Sequence, residues 1–311
     1  MINRILTNVL KAFLTLTCLV LLGCTTNPIT GRDELMLYSE EDDFAIGRQV
    51  APQLEAALGD RIDSEALQLY VDRVGQRIAL VCHHPEWEYH YIVVDHEMVN
   101  AMALPGGYVY ITRGMLERLQ TEAQLAAVLA HETVHVVGRH GMSQRSKQAL
   151  MNIATAAVLV AGPGGSQYLA AMTNQYLSLS YSRDDETEAD IAGLDYLVKA
   201  GYDPNGIVQV QEILLEEHTL RRELEFYSTH PHPESRLRDI RRRIAQRYAN
   251  FKPSRTNDPY QKEVLDYLRD HPQLPRGGRL KTEQQSGQSL ESLRRSIELQ
   301  RQMEHQKLLY P

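Results

Sequence analysis

The sequence predicts a mainly helical α+β fold, and three features support this prediction. Apolar side chains recur at helical spacing in segments that open with a capping residue, such as Ser39, Ser64 and Thr121. Residues 87–95 and 107–112 are instead rich in β-branched and aromatic side chains, as strands are. The length of 311 residues is enough for one good-sized domain with an appendage.

The first residues are typical of a bacterial lipoprotein signal peptide. Two basic residues precede an apolar run over residues 12–22, which is too short to span a bilayer as a permanent helix. The run ends in LLGC, which resembles a lipobox, where cleavage precedes a cysteine that then carries lipid. We therefore expect a signal peptide at 1–23, lipidation of Cys24 and a lipidated tether at 24–38. Thr25, in place of aspartate, implies transfer to the outer membrane by analogy with lipoprotein sorting.

Two helices and a small sheet are expected next along the chain. Ser39 caps a helix with an acidic first turn that ends near residue 58, and Ser64 opens a second amphipathic helix. Residues 87–95 and 107–112 are expected to pair as a small antiparallel sheet, joined through residues 100–106. This sheet would lie beside the next helix.

The residues that join these two strands have two interpretations. An extended substrate could pair with the sheet edge as an added strand, which would make Asn100, Ala101, Met102 and Ala103 substrate contacts. Alternatively, the four residues form a simple turn. The sequence does not favour either interpretation.

The segment HETVH, residues 131–135, contains two histidines four residues apart within a run of good helix formers. Helical geometry places His131 and His135 about 40° apart on one face, close enough to bind a single metal ion. Glu132 then lies beside the metal, where its carboxylate can take a proton from water during peptide hydrolysis. The alternative is a helix with surface histidines, but chance produces such a motif only about 0.03 times in a chain of this composition.

A catalytic zinc site needs a third protein ligand and keeps one coordination position open. The acidic helix start at residues 182–197 supplies a candidate in Glu186, and Asp190, one turn later, can hold the free ring nitrogen of a ligand histidine. His140 is nearer in sequence, but on a continuing helix it would point away, so we expect a structural role for it. We expect one Zn²⁺ per chain.

Several segments carry weaker signals. Residues 149–165 are apolar but too short to span a membrane, and are expected to form either a packed helix or a mobile flap. The arginines of residues 235–244 alternate with apolar residues and are expected to form the exposed face of a helix. Residues 251–311 are expected to form a linker arm with a short helix near 259–270 and a final helix over 289–308.

Three separated motifs, HETVH, SRDDETEAD and YSTHPHPESR, make the chain resemble the HtpX, Oma and Ste family of membrane-associated gluzincin peptidases, in particular its bacterial periplasmic BepA and LoiP type. The resemblance extends to NPITGRDELML and NAMALPGGYVYITRGML, and it implies a zincin-like metallopeptidase domain over residues 39–250. The site residues that it implies are zinc ligands His131, His135 and Glu186, the base Glu132 and the orienting residue Asp190.

His230 lies in the segment THPHP, where two prolines predict a stiff loop that enters a helix at Pro233. The family resemblance gives His230 a role at the site, and two roles remain open. It could stabilise the oxyanion that develops on the substrate carbonyl. It could instead fill the fourth position on zinc and keep the resting enzyme latent. His232 is expected to face solvent.

These expectations lead to a zinc-dependent endopeptidase anchored at the outer membrane, on the periplasmic side, that degrades misfolded or misassembled envelope proteins. The outer-membrane assembly machinery is a further candidate partner, but we find none of the 34-residue helical repeats that resemblance to BepA would include. The net charge of -7 does not favour nucleic acid as a partner. The alternative is a chaperone-like binding module with a mainly structural zinc, against which Glu132 and the open coordination position argue.

Overall fold

A computed structural model describes residues 23–155, 173–175, 179–221, 225–231, 233–256 and 258–273. The predicted α+β, mainly helical class is confirmed. The strands are β1 Cys24–Thr26, β2 Asp33–Leu35, β3 His90–Val94, β4 Ala101–Leu104 and β5 Tyr108–Thr112. The helices are α1 Glu40–Leu58, α2 Glu65–Ala79, α3 Arg113–Leu116, α4 Glu122–Val137, α5 His140–Thr155, α6 Arg183–Lys199, α7 Asn205–Arg221, α8 Glu225–Thr229, α9 Pro233–Arg247 and α10 Asp266–Asp270, with a π-helical turn at Gln261–Leu265.

Some predicted features lie outside the described residues. They are residues 1–22 of the signal peptide, residues 156–165 of the apolar segment, His232 and the final helix over 289–308. Among the described residues, no helix combines the length and the apolar character needed to cross a membrane.

Side-chain caps begin the long helices where the sequence predicts them. The hydroxyl groups of Ser39, Ser64 and Thr121 accept hydrogen bonds from the amides of Asp42, Leu67 and Gln124. Ser182 caps α6 in the same way. Each such cap stabilises a helix by about 1 kcal/mol because it satisfies an otherwise unpaired amide. The predicted helix starts are therefore confirmed.

The central sheet has the strand order β3-β5-β4. The β4–β5 pair is antiparallel, whereas β3 and β5 run parallel with His90 opposite Tyr108. The expected antiparallel pairing of 87–95 with 107–112 is therefore wrong. The reason is that the expected connection contains a strand of its own, β4, so the chain reverses direction twice between β3 and β5. As a result, β4 lies at the edge of the sheet.

Alternate side chains of the sheet enter two apolar clusters. Tyr91 and Val93 join the main core, which is formed with α2, α4, α6 and α7. Ile92 and Val94 point to the other face and pack with α1 in a smaller cluster. This alternation is the period of two expected for a strand with both faces covered. The sheet is therefore held between α1 on one side and the helices around α4 on the other.

The segments at both ends of the described chain are packed. Residues 24–38, the expected tether, include the β1–β2 hairpin, and the Leu37 amide donates to the Ser146 hydroxyl. In the expected linker arm, the helix predicted near 259–270 is confirmed by the π-helical turn and α10. The Tyr260 hydroxyl donates to the Leu116 carbonyl, and its ring is buried in the main core with Val264. This part of the arm is thus attached to the domain.

Gly75 allows α2 to lie directly on β3. A Cβ atom at this position would lie 2.1 Å from the ring of Tyr91. That ring is fixed, because it is buried and its hydroxyl is hydrogen bonded to the Thr133 hydroxyl of α4 at 2.9 Å. The absent side chain therefore brings α2, the sheet and α4 into contact.

We expect Gly75→Ala to lower the free energy of unfolding by about 1–3 kcal/mol, because overpacking outweighs the gain in helix propensity. Urea denaturation measures this difference. Arg73→Ala, at an exposed position of the same helix, is the control and is expected to change stability by less than about 0.5 kcal/mol. A Gly75→Ala chain as stable as the native one would mean that Tyr91 moves without cost.

Candidate metal centre

Two histidines of α4 and one carboxylate of α6 converge in the interior. The Nε2 atoms of His131 and His135 lie 3.1 Å apart. Glu186 reaches them from α6, with carboxylate oxygens 3.7 Å from His131 Nε2 and 3.5 Å from His135 Nε2. With His230 these residues form a buried group whose ligand atoms all lie within 4.8 Å of one another. The structure therefore brings together the three predicted ligands and His230.

The donor set of this group fits zinc. Two imidazoles and one carboxylate are the ligands found at catalytic zinc sites that keep an open position. Both carboxylate oxygens of Glu132 and the Nε2 atom of His230 are buried without a hydrogen-bond partner among the described residues. Buried polar atoms without partners are costly, and a bound cation offers these atoms a favourable electrostatic partner.

His131 is oriented by a carboxylate that is itself neutralised. Its Nδ1 atom lies 3.2 Å from Asp190 Oδ1, which is the contact expected for Asp190. Arg236 of α9 binds Asp190 through Nε and Nη2 at 2.6 and 2.7 Å, and its Nη1 contacts Glu186. Arg236 is only 5% exposed, so the expected exposure of the arginines in this segment is wrong for this residue. Two buried carboxylates require a nearby cation, and this requirement is the signal from which a buried arginine could have been predicted.

His135 is supported by His140. The Nδ1 atoms of the two rings lie 2.8 Å apart, and His140 Nε2 lies 3.2 Å from Glu188 Oε1. The expectation that His140 points away assumed a continuing helix. The helix instead ends at Val137, and Arg139 takes a φ of 53°, so α5 starts afresh at His140. This break turns the His140 ring back towards the predicted ligand His135, where sequence reasoning did not place it.

The buried carboxylates have different proton affinities. Burial raises the pKa of Glu132 above the ordinary value for a glutamate. Burial opposes ionisation of Glu186 as well, but the charges of His230 and Arg236 hold its pKa well below the ordinary value. Arg236 likewise lowers the pKa of Asp190 against the effect of burial. Glu186 and Asp190 thus stay ionised, whereas Glu132 is the better proton acceptor.

His230 lies between a predicted ligand and the predicted base. Its Nδ1 atom is 2.8 Å from Glu186 Oε1 and its Nε2 atom is 3.6 Å from Glu132 Oε1. The ring is fully buried and stacks on Phe226 with centroids 4.3 Å apart. The helix that follows begins at Pro233, as predicted.

The four candidate substrate contacts lie at the sheet edge. Ala101, Met102 and Ala103 belong to β4, and Asn100 precedes the strand with its side chain accepting a hydrogen bond from the Ala101 amide. A small cleft of about 10 Å³, room for about one water molecule, lies between this edge and His135 and is lined by Ala103 and Leu104. The edge of β4 is therefore next to the metal ligands.

Cys24, the expected lipid attachment site, lies on the surface, whereas the four residues of the metal group are buried. It begins strand β1 and is exposed to solvent.

Comparison with known proteins identifies related sequences. Residues 65–244 match the family described as Peptidase family M48. The mitochondrial metalloendopeptidase OMA1 of Schizosaccharomyces pombe is 33% identical over 222 residues, which cover 68% of this chain and 64% of that protein. The β-barrel assembly-enhancing protease of Escherichia coli K12 is 30% identical over 196 residues, covering 60% and 40%. A putative β-barrel assembly-enhancing protease of Vibrio cholerae is 32% identical over 196 residues, with the same coverage. The chain thus spans less than two thirds of each of these relatives.

We expect Asp190→Asn to weaken zinc binding by about 10-fold or more, because a neutral amide orients His131 less firmly and removes one of the two carboxylate partners of Arg236. Competition with a chelating indicator measures the affinity. Asp195→Asn is the matched control, since Asp195 lies on the same helix and pairs with Arg243 at 2.9 Å, away from the ligands. Equal effects of the two substitutions would contradict an orienting role for Asp190.

Proposed function

The chain belongs to peptidase family M48, and from this premise we propose that it is a zinc-dependent endopeptidase. The observation that carries the proposal is the buried convergence of His131, His135 and Glu186 beside Glu132. A structural metal would not require a further buried carboxylate, Glu132, that lacks a hydrogen-bond partner among the described residues and lies beside the ligands. This feature favours catalysis over a chaperone-like binding module.

In the proposed reaction Glu132 handles the proton. When bound, zinc supplies a Lewis acid that polarises the scissile carbonyl and makes the attacking water more acidic. The Glu132 carboxylate accepts a proton from that water and then delivers it to the leaving amine. Its buried position next to the predicted ligands suits both steps, because the same carboxylate must hold the proton between them. Asp190 and Arg236 keep His131 and Glu186 in place throughout.

We propose that the substrate binds as an extended strand along β4. An edge strand offers unpaired amide and carbonyl groups to an added peptide, largely independently of side-chain sequence. Asn100, Ala101, Met102 and Ala103 would then line the peptide, and the small cleft beside Ala103 would lead from the strand edge towards His135. Recognition through the backbone suits substrates that are locally unfolded.

We further propose that the enzyme is a periplasmic lipoprotein of the outer membrane that degrades misfolded or misassembled envelope proteins. The lipobox-like sequence and the exposed position of Cys24 support a lipid anchor at that residue. Two of the similar proteins are named for enhancing β-barrel assembly, which supports unfolded outer-membrane proteins as substrates and the assembly machinery as a partner.

We expect Glu132→Gln to reduce cleavage of an unfolded outer-membrane protein by about 10²–10⁴-fold, because the amide cannot accept the proton. Zinc content, measured on the same samples, should be unchanged. Glu117→Gln, which neutralises an exposed glutamate, is the control and should cleave like the native chain. Cleavage by a zinc-loaded Glu132→Gln chain at the native rate would contradict the base role.

We propose that His230 fills the fourth zinc position in the resting enzyme, because its ring lies within the same group of ligand atoms as His131, His135 and Glu186. His230→Ala should therefore cleave faster than the native chain, since water and the substrate carbonyl gain access. His271→Ala, at an exposed position, is the control. A large loss of activity in His230→Ala with zinc retained would instead support stabilisation of the oxyanion.

A further inference from the structure

We propose that the N-terminal loop of residues 27–32 is a positioning element of the metal site, connected to the ligand His135 through Glu188 and His140. The inference rests on the proposed role of His135 as a zinc ligand. It concerns residues that neither the catalytic motif nor the proposed mechanism uses.

The inner part of this connection fixes the tautomers of two rings. If His135 presents Nε2 to the metal, its Nδ1 atom carries the proton and donates to His140 Nδ1 at 2.8 Å. His140 must then be protonated at Nε2, which faces Glu188 Oε1 at 3.2 Å. Each N–H group on this path thus faces an acceptor: that of His135 faces His140, and that of His140 faces Glu188. Glu188 therefore holds His135 indirectly, as Asp190 holds His131 directly.

The outer part of the connection joins Glu188 to the N-terminal loop. The Asn27 side-chain amide donates to both carboxylate oxygens of Glu188, at 3.0 and 3.2 Å, and to Glu34 Oε1 at 2.9 Å. Asn27 is only 4% exposed, and Glu188 is 161 residues away in the sequence. A largely buried carboxylate costs free energy unless donors surround it, so Asn27 and His140 together explain its position.

The loop itself is held in one conformation by Asn27. The side-chain Oδ1 atom of Asn27 accepts hydrogen bonds from the amides of Ile29 and Thr30, at 2.8 and 3.1 Å. Its backbone amide donates to the Arg32 carbonyl, and its carbonyl accepts from the Gly31 amide. The amide group that contacts Glu188 is thus presented by a closed turn and not by a freely rotating side chain.

The two ligand histidines are therefore supported in different ways. The support of His131 remains within helices α6 and α9, through Asp190 and Arg236. The support of His135 leaves the helices and ends three residues after Cys24, the proposed point of lipid attachment. A displacement of the N-terminal segment would consequently disturb the support of His135 and leave the support of His131 in place.

The test compares zinc affinity in single and paired substitutions of the full chain. Asn27→Asp retains the Oδ1 acceptor of the turn but sets a carboxylate oxygen against Glu188. We expect it to weaken zinc binding by about 10-fold, the lower end of the range for residues behind metal ligands. Glu188→Gln should weaken it to a similar extent. In the double variant the amide introduced at position 188 can donate to the carboxylate introduced at position 27, so affinity should recover part of the loss, while the repulsion between that carboxylate and Glu34 remains.

Asp33→Asn is the matched control, because Asp33 lies in the same segment but is exposed and accepts its side-chain hydrogen bond from the Thr26 hydroxyl at 2.8 Å, within the hairpin. Zinc affinity is measured by chelator competition. The visible spectrum of the cobalt-substituted protein reports ligand geometry, and the melting temperature of the metal-free chain reports any general loss of stability. The control should match the native chain in all three measurements.

The outcomes separate the inference from the function on which it rests. Native zinc binding with unchanged affinity and cobalt spectra in both single variants would overturn the positioning role alone. The positioning role would likewise be overturned if the variants lowered only the melting temperature of the metal-free chain. A native chain that binds no zinc would overturn the proposed function and this inference together.

Discussion

The close packing of α6 on α4 is the contact on which the site depends. An added Cβ at Gly193 of α6 would lie 3.2 Å from the His131 amide nitrogen, so the helices approach slightly more closely than a larger residue at this position would allow without a small shift. This approach brings Glu186 and Asp190 against the two histidines of α4, but it also buries carboxylates close together. Arg236 offsets their repulsion, since it contacts both Glu186 and Asp190. Removing only the cation would leave uncompensated buried charge.

Among the described strands, none pairs with the outer edge of β4, and this edge lies beside the α4–α6 pair. Because β4 is an edge strand and both sheet faces are covered, a peptide that pairs with β4 would do so along its outer edge. The same edge borders the small cleft that reaches His135. Strand order therefore determines where an extended chain would approach the metal ligands, although no strand residue belongs to the metal group.

Local features of the sequence predict much of the fold and the proposed site. The spacing of His131 and His135 follows from helical periodicity, and the starts of α1, α2 and α4 follow from the capping residues Ser39, Ser64 and Thr121. Features that depend on distant segments were not predictable in this way. The parallel β3–β5 pair depends on β4, and the burial of Arg236 depends on carboxylates of another helix. The orientation of His140 depends on a helix break at Arg139, whose side chain binds the distant Asp43 of α1.

Tyr181 contacts both His135 and His230, and so connects the proposed role of His230 in the resting enzyme with the position of His135. The ring of Tyr181 stacks on His135 with centroids 3.7 Å apart and lies 5.2 Å from the ring of His230. The Tyr181 amide also donates to the Thr229 carbonyl, next to His230 in the chain. These contacts connect His230 to the segment that enters α6. If His230 fills the fourth zinc position as proposed, its displacement would therefore disturb the packing of Tyr181 on His135, whereas the contact of His131 with Asp190 lies on a separate path.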